Sequence, residues 1–149
     1  MVEYQRKDRY DINDLRDIMS ILRSPQGCPW DREQIHKSIR NDFIEEVYEA
    51  IEAIDLEDTE LLKEELGDVL LQIIFHCRIE EEKSCFDFDD ICDELCKKLI
   101  IRHPHVFGDI TVSDSGEVLK NWDSIKKETK GKCIFPFCIF VILAKYHPM

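Results

Sequence analysis

The stretch Glu65-Leu66-Gly67-Asp68-Val69-Leu70-Leu71-Gln72-Ile73-Ile74-Phe75-His76-Cys77-Arg78-Ile79 decides the fold. Its apolar residues point in nearly every direction around a helix, which predicts a central, buried helix. The exception is a strip about 60° wide that carries Glu65, Asp68 and Gln72, flanked by Leu61, Phe75 and His76. Ionised carboxylates in such a helix are costly to bury unless a cation or several donors meet them. Glu65 and Asp68 therefore need a partner.

Working upstream, Asn41 to Leu62 holds nine acids (Asp42, Glu45, Glu46, Glu49, Glu52, Asp55, Glu57, Asp58, Glu60) and no Lys or Arg. Phe43, Ile44, Val47, Tyr48, Ile51 and Ile54 form the apolar stripe of a helix that starts at Asn41 or Asp42. Glu45, Glu49 and Glu52 fall within roughly 60° of one another on it, with Glu46 further round. Like charges at this spacing disfavour a helix by a few tenths of a kcal/mol each, so a purely structural surface would mix in lysines. Two readings stand for Glu65 and Asp68. Arg78, Lys98 or Arg102 from elsewhere pairs with them, or Glu65-x-x-Asp68 faces Glu45-Glu46-x-x-Glu49 in a cage of five carboxylates. An all-oxygen cage suits Mg²⁺ or Mn²⁺ rather than zinc. Gly67, about 1 kcal/mol worse than Ala in a helix, fits either a ligand's close approach or helix packing.

The remaining periodicity predicts helices over Asp11 to Leu22, ended by Ser24-Pro25-Gln26-Gly27; a short one capped by Asp31 with Gln34; and others over Glu60 to Glu82, Phe88 to Arg102 and Glu117 to Lys130. Strand alternation is nearly absent. The fold expected is all-α, an up-and-down bundle of four to five helices. Residues 1–130 form its domain, and 131–149 an apolar C-terminal tail of unknown role. Lys98 and Arg102, spaced i,i+4, and Lys126, one turn beyond Trp122, can point into a common cleft and hold phosphates. Trp122 either stacks on a base or packs in the core with Val118, Leu119 and Ile125.

Composition removes several classes of function. A net charge of −12 repels a phosphate backbone, so nucleic-acid binding through a basic patch is not expected. No run of eighteen apolar residues exists to span a bilayer. Seven cysteines without a C-x-x-C pair, behind an N-terminus with no apolar signal core, place the chain in a reducing cytoplasm, with Cys77, Cys92 and Cys96 as small core residues. Paired Glu-x-x-His motifs, His-Glu-x-x-His, a phosphate-binding glycine loop and a Gly-x-Ser-x-Gly elbow are all missing.

These residues resemble the MazG-type nucleoside triphosphate pyrophosphohydrolases, an all-α family of the same superfamily as dimeric dUTPases. The resemblance rests on Leu22 to Asp31, Glu45-Glu46-Val47-Tyr48-Glu49, Glu64-Glu65-Leu66-Gly67-Asp68, Arg102-His103-Pro104-His105-Val106-Phe107-Gly108 and Asn121-Trp122 followed by Ile125-Lys126-Lys127, in family order. It implies a Mg²⁺-dependent hydrolase that converts a nucleoside triphosphate to the monophosphate and pyrophosphate. The family's metal motif falls on Glu45, Glu46, Glu49, Glu65 and Asp68, with Glu46 or Glu49 taking the proton of the attacking water. Its nucleotide-contacting positions fall on Lys98, Arg102, Trp122 and Lys126. A bundle completed by dimerisation, or a higher homo-oligomer, is implied as well. The alternatives are a catalytically silent nucleotide-binding or regulatory domain, and a narrow dUTP- or dCTP-type pyrophosphatase.

Overall fold

A computed structural model describes residues 4–129, and every described element is helical. In chain order these are α1 (Ile12–Leu22), α2 (Pro29–Glu33), α3 (Arg40–Asp55), α4 (Thr59–Glu81), α5 (Phe88–Arg102), α6 (Pro104–Phe107) and α7 (Ser115–Thr129). The five long helices match the expected set, and the two short ones sit in the motif-rich connections. The expected tail, 131–149, lies outside the described residues. Two compact units meet within α5, one ending at Cys92 and the other beginning at Asp93.

Helix boundaries follow their caps. Asp11 accepts hydrogen bonds from the Asn13 and Asp14 amides (2.8 and 3.1 Å), while Asp14 accepts from the Asp11 amide at 2.9 Å, a reciprocal capping box for α1. Gly27 ends that turn against α1: a Cβ there would lie 2.1 Å from the Ile21 carbonyl oxygen and 2.3 Å from that of Leu22. Asp31 does not cap α2. Pro29 opens the helix at its first position, where its fixed φ and missing N–H are harmless. Gln34 instead donates to the Trp30 carbonyl (2.8 Å). Helix α7 starts two residues earlier than predicted. Asp114 accepts from the Glu117 amide, and Glu117 accepts from Ser113 N and Oγ, each at 2.9 Å.

In the first unit α4 packs against α3 and α1 around Met19, Ile39, Ile74, Phe75 and Ile79. Arg23, at the end of α1, ties that helix to α2 and to the end of α4. Its Nε and Nη2 donate to the two carboxylate oxygens of Glu82 (2.9 and 2.8 Å), and Nη1 donates to the carbonyls of Asp31 and Gln34. Its guanidinium lies 5.3 Å over the Phe75 ring.

The expectation of a helix buried all round holds for only half of α4. Gln72, Ile74, Phe75, Cys77 and Ile79 are buried, whereas Leu66 is 53% exposed and a Cβ at Gly67 would meet nothing within 4 Å. The apolar stripe of α3 is open too, through Val47, Ile51 and Ile54. Within this unit those side chains have no helix to cover them. Cys77 is buried and Cys92 half-buried as expected, but Cys96 is exposed.

Candidate active site

Helices α3 and α4 are joined by a tight connection, with Asp58 accepting from the Glu60 and Leu61 amides (3.1 and 3.0 Å) to start α4. The antiparallel hairpin that results brings acids 16 to 19 residues apart in sequence face to face. Glu46, Glu49 and Glu65 each place a carboxylate oxygen within 4.8 Å of the other two. Partial burial first, then the charges of Asp68 and Glu49, push the Glu46 carboxyl above its ordinary range. Glu65 is raised in the same way, by partial burial and then by Glu49, Glu64 and Asp68. Both shifts have the sign of a site short of positive charge.

Among the described residues, no Lys or Arg forms an ion pair with Glu46, Glu49, Glu65 or Asp68. Arg78, one of the candidates, is committed to Glu81 at 3.0 Å and Glu82 at 3.2 Å. Four of the five predicted carboxylates thus act on one another, and Glu45 is exposed on α3 outside the trio. The donor chemistry, oxygens only and negatively charged, fits a hard divalent cation.

In the second unit, Arg102 is only 7% exposed, its Nε has no hydrogen-bond partner, and no carboxylate pairs with it among the described residues. Its guanidinium lies 5.4 Å from the Trp122 ring centre, and His103 meets the same ring edge-on at 4.8 Å. Trp122 therefore serves as a platform for Arg102. His105 Nδ1 is also buried without a partner. Lys98 is exposed and Lys126 half-buried.

One cluster escaped the sequence reading. His36, from the connection between α2 and α3, stacks on His76 of α4 (ring centres 5.0 Å apart, planes at 17°) with their Nδ1 atoms 2.7 Å apart. His36 Nε2 lies 2.5 Å from Glu80. The i,i+4 spacing of His76 and Glu80 was visible in the sequence; the arrival of His36 from forty residues away was not.

A family model, the MazG nucleotide pyrophosphohydrolase domain, matches residues 34–107, which include every member of the carboxylate cluster. The MazG nucleoside triphosphate pyrophosphohydrolase/pyrophosphatase of Thermotoga maritima is 51% identical over 121 residues, 81% of this chain and 46% of that protein. The chain belongs to the MazG family. The nucleoside triphosphate pyrophosphohydrolase of Escherichia coli K12 is 45% identical over 122 residues, again 81% of this chain and 46% of the relative. An uncharacterized Bacillus subtilis protein, YabN, is 48% identical across 82% of this chain but only 25% of its own length. The chain thus spans half or less of these curated relatives. The crystal structure of a mazG-related protein from Thermotoga maritima superposes with a TM-score of 0.64 at 25% identity, covering 78% of this chain and 99% of that one. The all-α MazG fold is therefore common to both.

Proposed function

We propose that this MazG domain hydrolyses a nucleoside triphosphate to the monophosphate and pyrophosphate with Mg²⁺ or Mn²⁺ as cofactor. The observation that carries the reading is the convergence of Glu46, Glu49 and Glu65, beside Asp68, with no cation among the described residues to neutralise them. Glu45, Glu46, Glu49, Glu65 and Asp68 are the residues assigned to hold the ion. A divalent cation held by these carboxylates would lower the pKa of water and offset the charge of the departing pyrophosphate. Glu46 or Glu49 accepts the proton of the attacking water. Arg102, Lys98 and Lys126 hold the polyphosphate, and Trp122 keeps the Arg102 guanidinium in position. The Arg102 Nε, without an acceptor among the described residues, supports an anion as the missing partner.

The domain works as a homodimer or higher homo-oligomer in the cytoplasm. Support for the oligomer comes from the open apolar faces of α3 and of α4 at Leu66, which a second copy would cover. No described helix is long and apolar enough to cross a membrane.

The test is release of pyrophosphate and nucleoside monophosphate from a panel of ribo- and deoxyribonucleoside triphosphates, with Mg²⁺ and with chelator. Equimolar, Mg²⁺-dependent release of both products is expected, and the panel reveals whether one nucleotide, such as dUTP or dCTP, dominates. A folded protein that releases neither product from any substrate would instead be a silent, nucleotide-binding or regulatory domain.

A further inference from the structure

The polar face of α4 does not stop at the carboxylates. Asp68 is followed at i,i+4 spacing by Gln72, His76 and Glu80, and residues so spaced are neighbours on a helix surface. Gln72 is 8% exposed and its Oε1 has no hydrogen-bond partner among the described residues. An amide oxygen left unpaired in the interior is costly, so its retention fits a donor supplied by a bound ligand. The residue beyond it, His76, is walled by flat rings: His36 stacks on one side, and Phe43 of α3 lies 5.6 Å away, tilted by 45°. Two ring nitrogens 2.7 Å apart require one to donate and the other to accept, so the histidines cannot both be charged. Glu80, itself held by Lys83 at 2.6 Å, fixes the other edge of His36.

A clasp between the α2–α3 connection and α4 accounts for His36, His76 and Glu80. It leaves the amide of Gln72 unexplained. Position along the helix supplies the explanation: Gln72 lies about 6 Å along the α4 axis from Asp68, the span of one ribose between an α-phosphate and its base. Phe43 and His76 are both partly exposed, so a planar ring can approach them from solvent, and the terminal amide torsion of Gln72 is soft enough to turn toward it.

We propose that Gln72 reads the nucleobase, accepting a hydrogen bond from a base N–H while Phe43 and His76 pack against the ring. The inference rests on the carboxylate cluster being the phosphate end of the substrate. It makes Gln72 a specificity residue with no part in the chemistry.

The experiment compares the full-length wild type with Gln72→Met and Gln72→Leu. It measures kcat/KM across the nucleoside triphosphate panel and the inhibition constant of inorganic tripolyphosphate, which carries the phosphates without sugar or base. Both variants are expected to lose about tenfold or more for the preferred nucleotide and to flatten discrimination among bases. Tripolyphosphate inhibition should stay within about twofold, since nothing at the phosphate end has changed. Unaltered base discrimination in both variants would overturn the assignment, as would an equal weakening of tripolyphosphate or a wild type indifferent to the base. Absence of turnover by the wild type on every nucleotide defeats the hydrolase reading itself, and this inference with it.

Discussion

Two charged assemblies on α4 solve the same problem in opposite ways. At its C-terminal end Glu82 meets the buried guanidinium of Arg23, whose remaining donors go to two backbone carbonyls. Near its N-terminal end Glu65 meets Glu46 and Glu49, and each added carboxylate makes the others harder to ionise. The first assembly is complete within the chain, so its work is to hold α1, α2 and α4 together. The second finds no cation among the described residues. Internal satisfaction marks structure, and a shared deficit of charge marks a binding site.

Breaking the complete assembly should give the largest effect on the fold. Arg23→Met removes a buried cation, leaves the carbonyls of Asp31 and Gln34 without their donor, and leaves Glu82 with Arg78 as its remaining cation. Because Glu82 retains some solvent access, a loss of about 3 kcal/mol is expected, at the lower end for a broken buried pair. Urea denaturation at neutral pH measures it. A variant as stable as the wild type would show that Arg23 is not the tie the geometry indicates.

The incomplete assembly should respond in the reverse sense. Glu49→Gln removes charge from the centre of the trio, so unfolding should occur at an unchanged or higher temperature in chelator. Turnover, however, should fall about a hundredfold or more, equivalent to about 2.7 kcal/mol of barrier, and Asp68→Asn should behave alike. Full activity in both variants would sink the metal assignment.

Much of this contrast was legible in the sequence, and the limits were physical. Glu45, Glu46, Glu49, Glu65 and Asp68 stood out because helical periodicity alone places them on two faces, and a short connection after Asp55 forces those faces together. The same periodicity misjudged Leu66: apolar surface in every direction says that something covers it, not that the same chain does. Arg23 passed unnoticed as a cation because its partners, Glu82 and two loop carbonyls, are set by tertiary approach and not by spacing. His36 meeting His76 was hidden for the same reason. Asp31 misled because an acid three residues before Gln34 fits a capping box, yet Pro29 opens the helix first.

Acid should separate the two ends of α4 again, with smaller changes. His76 is held below its ordinary 6.5 by burial and by His36, so the unfolded chain takes up that proton first and stability falls as pH drops below about 6.5. Glu80, lowered to about 2 chiefly by Lys83 and then His36, contributes stability above about 4.5 that is lost as pH falls toward 2. Glu46 and Glu65 run the other way. Their carboxyls are raised, so the repulsion they impose at neutral pH is relieved as pH falls through their raised values. Thermal melts from about pH 7 to pH 3 should therefore fall less steeply in His76→Phe over the upper part of the range and in Glu80→Gln over the lower part. Glu46→Gln should steepen the decline. Variants whose melting temperatures fall with pH in parallel with the wild type would contradict all three assignments.

The smallest effect tests whether every acid in the Asn41 to Leu62 stretch belongs to the site. Glu57 follows the end of α3 with φ at 55°, the left-handed conformation, and donates its amide to Ile54 at 3.1 Å while Asp58 donates to Ala53 at 3.0 Å. This is the helix-ending pattern in which glycine is preferred, and a side chain there carries strain. Glu57→Gly should relieve that strain and remove one charge from an acidic hairpin, against the greater backbone freedom it gives the unfolded chain. The net expectation is a gain of about 0.5–1 kcal/mol, read by denaturant unfolding. Turnover should not change, because Glu57 is not among the acids that converge. Lost activity with an intact fold would mean that the site extends to the α3–α4 connection; equal activity with higher stability confines it to the acids that lie face to face.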